Sequence, residues 1–136
     1  MSETTPLIIL VDDDTDYLEI NRHIMESAGY RVRTFLDPQD ALESMKEERG
    51  SLVITDLMMK TLDSGFSFSC QVKERFGNIP VIIMTAVGSR RGFDFKPRNE
   101  QDLAAMHVDA FFDKSTDSET LLSEVKELLG RTEAQR

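Results

Sequence analysis

Leu7 to Asp14 reads LIILVDDD, five apolar residues followed without a spacer by three aspartates. A short run with no inward–outward alternation is the pattern of a strand covered on both faces, as in a parallel sheet with helices above and below. Acids placed directly after it stand at the strand's carboxyl end, where open α/β sheets bind their ligands. Comparable runs recur at Leu52–Ile54 (LVI), Val81–Met84 (VIIM) and Ala110–Phe112 (AFF). A fifth candidate, Tyr30–Phe35 (YRVRTF), does alternate, with Arg31 and Arg33 opposite Tyr30, Val32 and Thr34. Charge on one face predicts an edge strand.

The intervals between these runs carry helical spacing and stop signals. Tyr17, Ile20, Ile24 and Ala28 recur at helical spacing, and Gly29 follows as terminator. Asp37 and Pro38 provide an N-cap and a first-turn proline for a helix carrying Ala41, Leu42 and Met45, closed by Gly50. Phe68, Val72 and Phe76 repeat at four residues ahead of Gly77, and Asn99 caps a short helix carrying Leu103 and Met106. Thr116 and Glu119 have capping-box spacing before Leu121, Leu122, Val125, Leu128 and Leu129, with Gly130 as the stop. Strand–helix alternation repeated in this way builds a doubly wound α/β domain. The expectation is a single domain over 1–136, with its core at about 7–129 and loose tails at 1–6 and 131–136.

A chain of 136 residues with 40% apolar residues can bury roughly two-thirds of its unfolded surface without staples. Its single cysteine, Cys70, cannot form an internal disulfide, so a reduced, cytoplasmic setting is expected. No apolar run approaches the roughly 20 residues of a membrane span, and the first residues, MSETTP, are unlike a signal peptide. With 25 acidic against 16 basic residues, net charge −9, bulk attraction to nucleic acid is disfavoured.

The expected strand ends bring Asp12, Asp13 and Asp14, then Asp56, Thr85 and Lys114 to one edge of the sheet. Crowded carboxylates repel one another unless a cation neutralises them. Hard oxygen ligands favour Mg²⁺, which keeps waters and reaches out to a phosphate, and a nearby ammonium complements a transferred phosphoryl group. The set points to metal-assisted phosphoryl chemistry on a carboxylate. Asp14 and Asp16 read instead as acids that cap and charge-complement the following helix.

In LIILVDDD, LVITDLMM, PVIIMTA and AFFDK, in that order and at those spacings, the chain resembles the receiver domains of two-component response regulators over about residues 7–129. The resemblance implies a flavodoxin-like five-stranded parallel sheet of order 2-1-3-4-5 with five helices, the fourth short or displaced. It implies that Asp56 accepts a phosphoryl group from a phosphohistidine on a sensor histidine kinase or phosphotransfer protein. By the same resemblance Asp12, Asp13, Asp56 and the backbone carbonyl of Met58 hold Mg²⁺, and Lys114 pairs with phosphoryl oxygens. Thr85 is then the switch hydroxyl, and Phe111 the aromatic that changes rotamer with it. Such a chain is a signalling switch rather than an enzyme that turns over substrate, and it could dimerise on phosphorylation.

The chain also departs from that pattern. Lys60 stands where the family usually has proline, Ser64-Gly65 takes the place of an Asp-Gly pair, and Ser115 replaces the common proline after Lys114. Extra residues before Lys114, in GSRRGFDFKPR, gather Arg90, Arg91, Lys96 and Arg98 with Phe93 and Phe95, a basic and aromatic patch in an acidic chain. That stretch is a candidate partner surface. Met58 and Val87, two residues after Asp56 and Thr85, offer no polar group to orient an attacking water, so a long-lived phosphoryl state is expected.

Other readings are weaker. Asp12, Asp14 and Asp16 imitate the start of an EF-hand loop, but its sixth and twelfth positions would be Tyr17 and His23 instead of glycine and glutamate. VDDDTD resembles the first-strand motif of haloacid-dehalogenase-type phosphatases, yet Asp16 stands where Thr or Val belongs. A receiver-like module independent of phosphorylation is the other alternative, opposed by the joint presence of Asp12, Asp13, Asp56, Thr85 and Lys114.

Overall fold

Five parallel strands hydrogen-bond in the order β2-β1-β3-β4-β5 in the computed structural model, which describes residues 5–56, 64–85 and 108–134. They are β1 (Leu7–Val11), β2 (Arg31–Phe35), β3 (Leu52–Asp56), β4 (Val81–Thr85) and β5 (Ala110–Asp113). The helices among the described residues are α1 (Thr15–Ser27), α2 (Pro38–Met45), α3 (Ser64–Phe76) and α4 (Ser118–Ala134). The expected doubly wound sheet of order 2-1-3-4-5 is therefore present. The short helix expected after Asn99 lies outside the described residues.

Every residue of β1, β3 and β4 is buried, which explains why these strands read as unbroken apolar runs. Alternate side chains feed two cores. Leu7, Ile9, Val53, Val81 and Ile83 pack with Ala41, Leu42 and Met45 of α2 and Phe68, Val72 and Phe76 of α3. Ile8, Leu10, Ile54, Ile82 and Met84 pack with Leu18 and Met25 of α1 and Leu121, Val125 and Leu128 of α4. Each such side chain, fully buried, contributes about 1.5–3 kcal/mol relative to exposure. β2 forms one edge, as its alternation predicts. There Arg31 and Arg33 both pair with Glu48, at 2.9 and 3.1 Å, and cover the open ladder with charge.

Some helix signals act elsewhere than expected. The α1 face on the sheet is Leu18, Asn21 and Met25, whereas Ile20 is 58% exposed and Tyr17 and Ile24 are half-buried at the margin. The predicted stripe is thus rotated by about a quarter turn from the buried one, since each residue advances the helix by about 100°. Polar Asn21 in the buried row is the cause.

Gly29 does end α1, at φ 98° one residue beyond the Ala28 C-cap. Gly50 does not end α2, whose C-cap is Lys46. It is instead a positive-φ turn residue packed against β1. α4 continues through Gly130, where nothing crowds the backbone, and its first intrahelical bond runs from Leu121 N to the carbonyl of Asp117. Asp117 rather than Thr116 therefore holds the N-cap position. Thr116 N is occupied by the Asp113 carbonyl at 2.9 Å.

Candidate functional site

The order of the sheet reverses between β1 and β3, and ligands in such sheets bind at that point, beyond the carboxyl ends of the strands. Asp12 follows β1 directly. Its backbone N–H donates to the Phe35 carbonyl at 3.1 Å, and its Oδ1 accepts from Asp14 N at 2.9 Å. Asp56 is the last residue of β3, paired in register with Met84 of β4. Asp12 and Asp56 are buried and Asp13 is exposed, and the three place a carboxylate oxygen each within 4.8 Å of one another.

Lys114 reaches the same point from the far side of the sheet. Its backbone N–H donates to the Thr85 carbonyl at 2.8 Å, fixing where the side chain leaves the end of β5. Its Nζ lies 2.8 Å from Asp12 Oδ2 and 3.4 Å from Asp56 Oδ2. No cis peptide occurs among the described residues, so Lys114–Ser115 is trans. Asp113 organises the turn, its Oδ1 accepting from Ser115 N at 2.9 Å.

The electrostatics follow from crowding and burial. Burial pushes the Asp12 carboxyl up, and the neighbouring Lys114 ammonium and Asp14 N–H offset this only in part. Burial disfavours the charge on Lys114, but its close pairing with Asp12 and its attraction to Asp56 outweigh that cost and hold its pKa above the ordinary lysine range. The 2.8 Å contact with Asp12 is an ion pair, yet Asp12 Oδ2 receives no well-directed hydrogen bond in its buried position. An under-satisfied buried carboxylate oxygen beside two more carboxylates is a donor set that fits a hard cation.

Thr85 and Phe111 stand apart from this cluster. Asp12 and Asp56 continue the Leu10 and Ile54 rows on the α1/α4 side, whereas Thr85 continues the Val81–Ile83 row on the α2/α3 side. Phe111, opposite Ile83 in register, packs half-buried against that same core. Of the residues that the sequence reading gathered at one site, the structure brings Asp12, Asp13, Asp56 and Lys114 together and sets Thr85 and Phe111 on the opposite face of the same edge. Met58, Val87, Arg90, Arg91, Phe93, Phe95, Lys96 and Arg98 lie outside the described residues.

Two residues at the site were read only as helix, or not at all. The Tyr17 ring lies with its centroid 4.7 Å from Lys114 Nζ, and Asn21 sits beneath it, 6% exposed. A polar residue interrupting the buried row of α1 was the available signal.

Compared with known families, residues 8–126 match the response regulator receiver domain. The chain belongs to that family. Receiver domains are the phosphoacceptor modules of two-component signalling. This one is 30% identical over 128 residues to a putative two-component response regulator of Arabidopsis thaliana, covering 86% of this chain and 21% of that protein. It is 31% identical over 137 residues to the DNA-binding dual master transcriptional regulator RpaA of Synechocystis, covering 94% of this chain and 51% of that one. The receiver chain therefore spans from about a fifth to about half of these relatives.

Among solved structures, it resembles a CheY-like receiver domain protein from Methanospirillum hungatei with a TM-score of 0.82 at 22% identity, covering 98% of this chain and 100% of that one. Chemotaxis protein CheY4 of Vibrio cholerae gives 0.77 at 23% identity, with 92% and 99% covered. At those identities the likeness establishes the fold of the receiver. Among the described residues no helix is long and apolar enough to cross a membrane.

Proposed function

We propose that Asp56 is the phosphoacceptor of this receiver, taking a phosphoryl group from a phosphohistidine of a sensor histidine kinase or phosphotransfer protein. The observation that carries the reading is Lys114 Nζ at 2.8 and 3.4 Å from two of three clustered carboxylates at the sheet's switch point. In the reaction an Asp56 oxygen forms a bond to phosphorus while the bond from phosphorus to the donor imidazole nitrogen breaks, the imidazole keeping that electron pair. Lys114 pairs with a phosphoryl oxygen as the group arrives. Asp12, Asp13, Asp56 and the Met58 carbonyl would hold Mg²⁺, whose charge, when bound, lets one anion approach another.

The phosphoryl group then rewards any state that brings Lys114 and the Thr85 hydroxyl closer to it. Thr85 stands on the opposite row, so reaching Asp56 moves the end of β4, and Phe111 on the adjoining strand moves with it. The domain thus acts as a cytoplasmic switch that turns over no substrate of its own. Its output passes to a downstream protein partner, with the basic and aromatic stretch bearing Arg90, Arg91, Phe93, Phe95, Lys96 and Arg98 as the proposed contact.

Intact mass after incubation with acetyl phosphate, with and without Mg²⁺, tests the reading. A Mg²⁺-dependent, base-labile gain of one phosphoryl group is expected, and Asp56→Asn gains none. Folded protein that gains nothing would overturn the reading in favour of a phosphorylation-independent interaction module. Steady phosphate release from an added monoester would favour a phosphatase.

A further inference from the structure

Resting on the assignment of Asp56 as acceptor, we propose that Tyr17 is a positioning residue for Lys114, its ring keeping the ammonium over the acid cluster and so setting how fast Asp56 gains a phosphoryl group. The contacts form a closed circuit. Asp12 Oδ1 accepts from Asp14 N at 2.9 Å, and Asp14 Oδ1, the N-cap acceptor of α1, takes the N–H of Tyr17 at 3.2 Å. The Tyr17 ring faces Lys114 Nζ at 4.7 Å, and that ammonium returns to Asp12 Oδ2 at 2.8 Å. The carbonyl of Tyr17 is held as well, by the side-chain Nδ2 of Asn21 at 2.9 Å.

Asn21 is the anomaly that gives the circuit its weight. It occupies the row between Leu18 and Met25, where an apolar side chain would pack against Leu10 and Ile54, and a buried polar group there is costly unless it is used. Its amide is used on Tyr17. Lysine has a long, flexible stem and a strongly hydrated head, so an unrestrained Lys114 would spend much of its time in water. Its side chain is 21% exposed, and the aromatic face next to it supplies an attraction that does not compete for the carboxylates. Burial also holds the Tyr17 hydroxyl above its ordinary titration range, so the ring remains a neutral phenol.

The test compares wild type, Tyr17→Phe and Tyr17→Leu for the rate of Asp56 phosphorylation by acetyl phosphate at saturating Mg²⁺, with Asp56→Asn as the blank. Tyr17→Phe keeps the ring and matches wild type within about twofold, while Tyr17→Leu is slower by roughly threefold to thirtyfold. The thermal midpoint of each variant is measured alongside, so that rates are compared among folded proteins. Proton NMR of Lys114 gives a second readout independent of phosphorylation. Its ε-methylene protons are shifted upfield by the ring in wild type and Tyr17→Phe, and return to ordinary lysine values in Tyr17→Leu.

A Tyr17→Leu protein that is phosphorylated as fast as wild type overturns the inference. If wild type gains no phosphoryl group, the acceptor assignment fails by itself. The Lys114 shift then decides whether the ring holds the ammonium, and a shift unchanged in Tyr17→Leu overturns it. Should Tyr17→Leu not fold, Tyr17→Met removes the ring while filling the same space and is read the same way.

Discussion

Gly50 answers to two constraints at once. Its φ of +83° lies where side chains are strained, and a Cβ there would come within 2.7 Å of Cγ1 of the fully buried Ile9. Gly29 has only the first constraint, with φ +98° and open space around it. Gly50→Ala is therefore expected to cost about 2–4 kcal/mol, strain and overpacking together, and Gly29→Ala about 1–2 kcal/mol from strain alone. Urea unfolding of the two variants compares them directly, and equal costs would show that Ile9 gives way freely. A second residue-scale expectation concerns the lifetime of the acyl phosphate. Met58 stands two residues after Asp56, and an amide there could orient an attacking water. Met58→Asn should shorten the half-life of phosphorylated protein several-fold after donor removal; a half-life that is already short and does not change would refute this.

Among the elements, α1 separates packing from pattern. Met25 is fully buried and Ile20 is 58% exposed, although both are apolar and the spacing favoured Ile20. Met25→Ala should lower stability by about 2–5 kcal/mol. Ile20→Ala should change it by less than about 0.5 kcal/mol. Thermal or chemical unfolding of the pair distinguishes the observed face from the predicted one. The strands were legible because a strand buried on both faces is apolar throughout, and β1 runs from Leu7 to Val11 as its sequence reads. The acid cluster was legible for a related reason: strand ends fix where Asp12, Asp13, Asp56 and Lys114 emerge. What was not legible depends on tertiary choice. Asn21 breaks the apolar row of α1, Gly130 sits where a helix can continue at a cost of about 1 kcal/mol, and Thr116 loses the cap to Asp117 because Asp113 claims its N–H. Which face of β4 Thr85 occupies follows from register, which no local signal carries.

For the molecule as a whole, a net charge of −9 forms the background to three carboxylates crowded at one sheet edge, Asp12, Asp13 and Asp56. Without a divalent cation these groups destabilise the folded state through mutual repulsion. Asp13→Asn should therefore raise the metal-free thermal midpoint by roughly 3 °C, the shift that follows from about 1 kcal/mol in a domain of this size. Mg²⁺ should raise the wild-type midpoint in a concentration-dependent way and the Asp13→Asn midpoint much less, because only a ligand bound to the folded state stabilises it. Scanning calorimetry with and without Mg²⁺ reads both, and a variant that responds to Mg²⁺ like wild type would remove Asp13 from the ligand set.

The strand order also spreads the site across the chain. The three acids come from the ends of neighbouring β1 and β3, but the ammonium that offsets two of them is carried at the end of β5, the last of the described strands. Without β5 the three carboxylates would lie together with no ammonium to offset two of them. On the proposed role of Asp56, competence to accept a phosphoryl group depends on the last described strand as much as on the first.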